Sequence, residues 1–89
     1  MTNWYKMISK VLENNDESWD DVESNTMSEE DMLEEFNDEY GSVNGCPFTI
    51  WTKKSVYFPV CYNGAEWVDH VSRNPDGRPT NHVGILMVG

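Results

Sequence analysis

Over residues 3–13 the apolar side chains Trp4, Ile8, Val11 and Leu12 recur at helical spacing, with Tyr5 on the edge of the stripe. This predicts an amphipathic helix, capped by Thr2 or Asn3. Trp19 and Val22 share a face if residues 14–24 form a short second helix. A clearer start signal stands at Ser28, an N-cap residue type followed by Glu29, Glu30 and Asp31, where the helix dipole favours negative charge. Met27 and Met32 have the spacing of a hydrophobic staple. Met32, Leu33, Phe36 and Tyr40 supply an apolar stripe that Gly41 would end, which predicts a helix over about residues 29–39.

From Cys46 onward the periodicity changes. Residues 48–51, 56–62 and 65–71 are rich in aromatic and β-branched side chains and read as strands. Asn63-Gly64 suits a two-residue hairpin turn, which needs positive φ at both central positions. Lys53-Lys54 is a second turn candidate without that chemistry. With both turns in place, Phe58 and Val60 share a face with Trp67 on one neighbour and Thr49 and Trp51 on the other, and that face is expected to pack on the helices. Pro59 removes a ladder donor from the middle strand. Residues 73–79 are a loop by composition, and the apolar run 83–88 would add a last strand. The expected architecture is α+β. Acidic N-terminal helices (residues 1–40) pack on a small antiparallel meander of three to four strands (residues 46–89), in a single domain over residues 1–89.

Composition sharpens this picture at one place. The 89 residues carry a formal charge of −10, and thirteen of the sixteen acidic residues lie between Glu13 and Glu39, a window with no Lys or Arg. Residues 1–12 carry +2 and residues 40–89 carry +1. Eleven aromatic side chains, each able to bury about 150–250 Å², argue against a disordered acidic tail. No apolar run reaches the ~20 residues that span a bilayer, and no cleavage site follows the first dozen residues. The cytosol of the host cell, without a membrane partner, is therefore the expected compartment.

Three readings of the acidic window stay open. It is a solvated surface, a mimic of nucleic acid, or a metal site. Against the first, the i, i+4 pairs Glu30/Glu34, Asp31/Glu35, Glu34/Asp38 and Glu35/Glu39 crowd like charges, each costing a few tenths of a kcal/mol in a helix. For the second, carboxylates on helices rising 1.5 Å per residue can imitate the charge spacing of duplex DNA, about one per 1.7 Å of axis. Against the third, neither acidic run places a Gly at the sixth position or a Glu at the twelfth, as a Ca²⁺ loop requires.

Other chemistry is sparse. Cys46, Cys61, His70 and His82 lack the spacings of a zinc finger. With Thr52 opposite Ser55, Cys46 falls opposite Cys61, so the two read either as a cross-strand thiol pair or as small buried apolar residues. No P-loop, G-x-G-x-x-G or H-E-x-x-H occurs, and neither cysteine has a local nucleophile signature. No catalytic residue, metal or cofactor is expected. Lys53, Lys54, Arg73 and Arg78 form no cluster, so direct nucleic-acid binding is not expected either.

The segments Pro47-Phe48-Thr49-Ile50-Trp51-Thr52, Val56 to Val68, Arg73-Asn74-Pro75 and His82-Val83-Gly84, with Asn3-Trp4-Tyr5 and Ser28-Glu29-Glu30, resemble small acidic proteins of enterobacterial phages and plasmids. The resemblance carries over no catalytic residue. It implies a context in which such proteins are inhibitors of host nucleases, restriction enzymes, CRISPR complexes, or repair and transcription machinery.

The expected function is thus that of a non-enzymatic anti-defence or anti-restriction inhibitor, an acidic DNA mimic that binds a basic, nucleic-acid-binding host protein. Glu29, Glu30, Glu34, Glu35, Asp38 and Glu39 are the expected contacts, with Asp20, Asp21 and Glu23 as a second row. The alternative is an immunity-type protein–protein module with an aromatic hot spot at Trp19 or Tyr40.

Overall fold

The computed structural model describes residues 1–37, 45–62, 65–80 and 82–83. Helix α1 (Trp4–Asn14) opens a chain that continues through a 3-10 turn (Trp19–Asp21), strand β1 (Val22–Asn25), helix α2 (Glu29–Leu33) and strands β2 (Ile50–Thr52), β3 (Ser55–Tyr62) and β4 (Ala65–Ser72). The four strands form one antiparallel sheet in the order β1-β2-β3-β4. The fold is α+β.

Helix α1 forms where its apolar stripe predicts it. Asn3 is the cap, accepting from the Lys6 amide at 2.8 Å, and Trp4, Ile8 and Leu12 are buried on one face. Beyond its end Asp16 takes a left-handed conformation (φ 57°), one of the few side chains that tolerates it, and the chain reverses. Lys54 then donates to the Asn15 carbonyl at 3.1 Å, a cation at the negative end of the helix.

The expected helix over residues 14–24 does not form. Ser18 and Asp21 close a reciprocal capping box around the 3-10 turn, and the chain then leaves helical geometry to become the edge strand β1. The amino-terminal half is therefore not wholly helical, because one strand of the sheet comes from the acidic window. Tertiary pairing outweighs local propensity here. Val22 and Asn25 register against Thr52 and Ile50, and Thr26 and Thr49 exchange two further bonds.

The expected helix over residues 29–39 is also shorter. Ser28 and Asp31 form its capping box, and Met27 and Met32 pack against the core as the staple spacing implies. The helix ends at Leu33, and Glu34 is already extended (ψ 124°). Two bonds end it. Phe36 donates to the Thr2 carbonyl at 2.8 Å and accepts from the Thr2 amide at 2.9 Å, carrying its ring onto Trp4 at 4.8 Å. Buried aromatic area outweighs a further turn whose i, i+4 carboxylates repel. Residues 38–41, with Asp38, Glu39 and Tyr40, lie outside the described residues.

Strand β3 pairs with β4 over eight residues, from Ser55↔Ser72 to Tyr62↔Ala65. Lys53-Lys54 is a two-residue turn without Gly or Asn because Thr52 closes it: its Oγ1 accepts from the Ser55 amide at 3.0 Å. Pro59 sits beyond the end of β2, whose Ile50 pairs with Tyr57, so its missing N–H breaks no bond to that strand. Asn63-Gly64 and most of the expected last strand, residues 84–88, lie outside the described residues.

The sheet packs on α1 through the face opposite to the one expected. Ile50, Tyr57 and Val68 join Trp4, Ile8, Leu12, Met27, Phe36 and Phe48 in the core, whereas Trp51, Phe58, Val60 and Trp67 point to the other side. Both faces are apolar, so alternation alone does not rank them. Polar tips do. The Tyr57 hydroxyl and Ser55 Oγ accept from the Asn15 side chain at 2.8 and 3.2 Å, which fixes that face against the end of α1. At the far end, Trp4 Nε1 donates to the Cys46 carbonyl at 2.9 Å, and a Cβ on Gly45 would stand 2.5 Å from the Trp4 ring. Only glycine fits there.

Candidate interaction surfaces

The acidic residues occupy three stations along the β1 edge of the sheet. Asp20 and Asp21 stand on the 3-10 turn, Glu23 within β1, and Glu29, Glu30, Asp31, Glu34 and Glu35 on and after α2. All are exposed. A four-residue strand spans about 13 Å, which separates the first station from the last. The carboxylates therefore do not follow one helical repeat, and α2, with five residues, is only about 7.5 Å long.

Three of these side chains have internal roles. Asp21 and Asp31 accept the cap amides of Ser18 (2.8 Å) and Ser28 (3.2 Å). Glu23 is the extra residue in a register shift between Val22 and Ser24, and the bulge turns it toward Arg73. Glu23–Arg73 is the one ion pair among the described residues, and Arg73 also donates to the Thr52 carbonyl at 2.8 Å. Asp20, Glu29, Glu30, Glu34 and Glu35 face solvent with no cation beside them among the described residues. Glu17 turns inward instead and accepts from the Tyr57 hydroxyl. Burial, together with Glu17, pushes the Tyr57 hydroxyl up to about 12, so it stays protonated.

Trp19 is half-buried. Its ring stacks on Tyr5 at 5.4 Å and its indole N–H donates to Ser9 Oγ at 2.8 Å. Its polar atom is thus satisfied within the chain.

Cys46 and Cys61 are both free and exposed, so they are not small buried apolar residues. The residues on either side of Cys46, Gly45 and Pro47, line a cavity with Cys61, whereas Cys46 itself lines another with Trp4, Asp31 and Glu34. Desolvation of the sulfur, then the nearby Asp31 carboxylate, raises the Cys46 thiol above its ordinary range, which disfavours the thiolate. Among the described residues no three His, Cys, Asp or Glu side chains converge to hold a metal, and no helix is long and apolar enough to cross a membrane.

One surface was not marked by the sequence as functional. The outer face of the sheet presents Trp51, Val56 and Val71 in one row, Phe58 and Asp69 in the next, and Val60 and Trp67 in a third. None of these apolar side chains joins the cluster around Trp4, although Val60 is itself buried. The signal for it lay in the alternation of 65–71, where Asp69 falls in phase with Trp67 and Val71 and Glu66 falls out of phase.

No protein-family model, curated protein or solved structure matches the chain. Its surfaces are the guide to what it does.

Proposed function

We infer that the protein acts by binding, not catalysis, and that its acidic edge docks on a basic, nucleic-acid-binding host protein as an inhibitor encoded by a phage or plasmid. One observation carries this reading. Glu29, Glu30, Glu34 and Glu35 are exposed, without a cationic neighbour among the described residues, at one end of an edge where Asp20 and Asp21 stand at the other and Glu23 lies between. Exposed ion pairs contribute only about 0.2–1 kcal/mol each. The affinity must come from many charges acting together, with association accelerated by the field and weakened by salt. The short α2 and the bent course of the edge make the partner's groove an irregular one, filled by charge, not matched phosphate by phosphate.

The test is affinity capture from host lysate at low salt, beside the variant Glu29→Gln/Glu30→Gln/Glu34→Gln/Glu35→Gln. A nucleic-acid-binding protein retained by the native chain, eluted by salt or duplex DNA, and missed by the variant is the expected result. A partner indifferent to salt, DNA and the four substitutions would refute the reading.

A further inference from the structure

The outer face of the sheet places one carboxylate inside an apolar ring. Asp69 stands opposite Phe58, between Trp67 and Val71 along β4, with Val56 and Val60 on the diagonals. Directly paired Cβ atoms are about 4.5–5.5 Å apart and diagonal ones about 7–8 Å, so these side chains surround the carboxylate. Asp69, Phe58, Trp67, Val56 and Val71 are each half-buried. Asp69 Oδ1 accepts from the His70 amide at 2.8 Å; no cation among the described residues pairs with the group. An open concavity of about 580 Å³, formed by residues 70–80, adjoins the patch at Val71 and leaves room for a bound chain to continue.

A charge in this position decides what can cover the face. Packing the patch on a second copy would bring two Asp69 carboxylates into one dry interface, where like charges are costly. A purely apolar partner would strip water from Asp69 without replacing its hydrogen bonds. A metal ion would find a single ligand. An arginine suits all the surroundings: its planar guanidinium donates to the carboxylate while its faces and stem lie on Trp67, Phe58 and the valines.

We propose that the outer sheet face is a docking surface for a protein segment presenting one arginine flanked by apolar residues, with the guanidinium seated on Asp69 between Trp67 and Phe58. This rests on the acidic-edge reading only in the sign of the partner's charge. The sheet face supplies shape and the edge supplies field.

The test titrates the full ¹⁵N-labelled chain with acetyl-Val-Leu-Arg-Leu-Val-amide and with the same peptide carrying neutral citrulline for arginine. The expected result is shifts of the Trp67 indole and of the Asp69 and His70 amides with the arginine peptide. Apparent affinity should fall at least about tenfold with citrulline or with Asp69→Asn, the scale of one charge-assisted contact. The four-fold Glu→Gln variant of the edge should keep the same shifts. Equal binding of both peptides, no shift at these positions, or loss in the edge variant alone overturns the proposal, and the last outcome leaves the acidic-edge reading standing. Self-association through this face, seen by sedimentation of the native chain, overturns it too. So does an Asp69→Asn variant that aggregates but binds unchanged, since Asp69 would then only guard an edge strand.

Discussion

The two faces of the sheet carry similar apolar residues and have opposite fates. The inner face, with Ile50, Tyr57 and Val68, is closed by α1. The outer face, with Trp51, Phe58 and Trp67, adds nothing to the cluster around Trp4, and only its Val60 is buried. Hydrophobicity does not separate them, since the outer face has the larger rings. What separates them is the fate of polar atoms. The inner face brings Tyr57 and Ser55 to the Asn15 side chain and Thr52 to the Ser55 amide. Each face also carries a carboxylate: Glu66 on the inner face is buried and accepts from the Gly45 amide at 3.0 Å, whereas Asp69 on the outer face is half-buried and meets no cation among the described residues. Burial goes to the face whose polar groups can be satisfied, because an unpaired buried polar group costs about 1–3 kcal/mol.

The sharpest way to break this comparison is at the centre of the core. Trp4→Ala removes a buried ring packed between Phe36 and Phe48 at 4.8 and 4.9 Å, and should cost about 3–5 kcal/mol in chemical denaturation. A smaller loss, about 1–3 kcal/mol, is expected for Tyr57→Phe, which removes the bond from the Asn15 amide and the charge-assisted bond to Glu17. The same residue makes a pH prediction. Its hydroxyl titrates at about 12 in the fold against 10.0 for the free group. Its contribution is complete below pH 10 and is lost as pH rises from 10 through 12. Denaturation midpoints across that window should fall in the native chain and fall less in Tyr57→Phe.

On the outer face Trp67→Ala should lower stability by only about 1 kcal/mol. A loss matching that of Trp4→Ala would show the two faces to be equally structural. The smallest effect belongs to Glu23→Gln, which removes an exposed ion pair whose partners retain 40% and 41% of their side-chain exposure. A change of about 0.2–1 kcal/mol is expected, fading as salt is added.

Several elements were legible from local chemistry. The Trp4, Ile8 and Leu12 stripe with Asn3 before it specifies α1, Ser28 with Asp31 specifies the start of α2, and the β-rich stretches on either side of residues 63–64 specify the long β3–β4 pair. The Thr52–Ser55 register followed from a two-residue turn that only the Thr52 side chain explains. In the acidic window local chemistry misleads. It carries α2 six residues past its end and makes a helix of residues that pair as β1, since Phe36 and Val22 answer to Thr2 and Thr52, distant in sequence.

The candidate surfaces divide in the same way. Charge is additive along a chain, so the sequence by itself determined where the acidity lies, that it lacks local cations, and which segments favour helix or strand. Arrangement is not additive. Tertiary structure alone turned the acidic window into an edge instead of a helix, used the Trp19 indole N–H internally, paired Glu23 with Arg73, and chose which apolar face to bury. Each outcome depends on contacts between residues far apart in the chain, where burying rings and satisfying buried polar atoms outweigh the tenths of a kcal/mol by which local propensities differ.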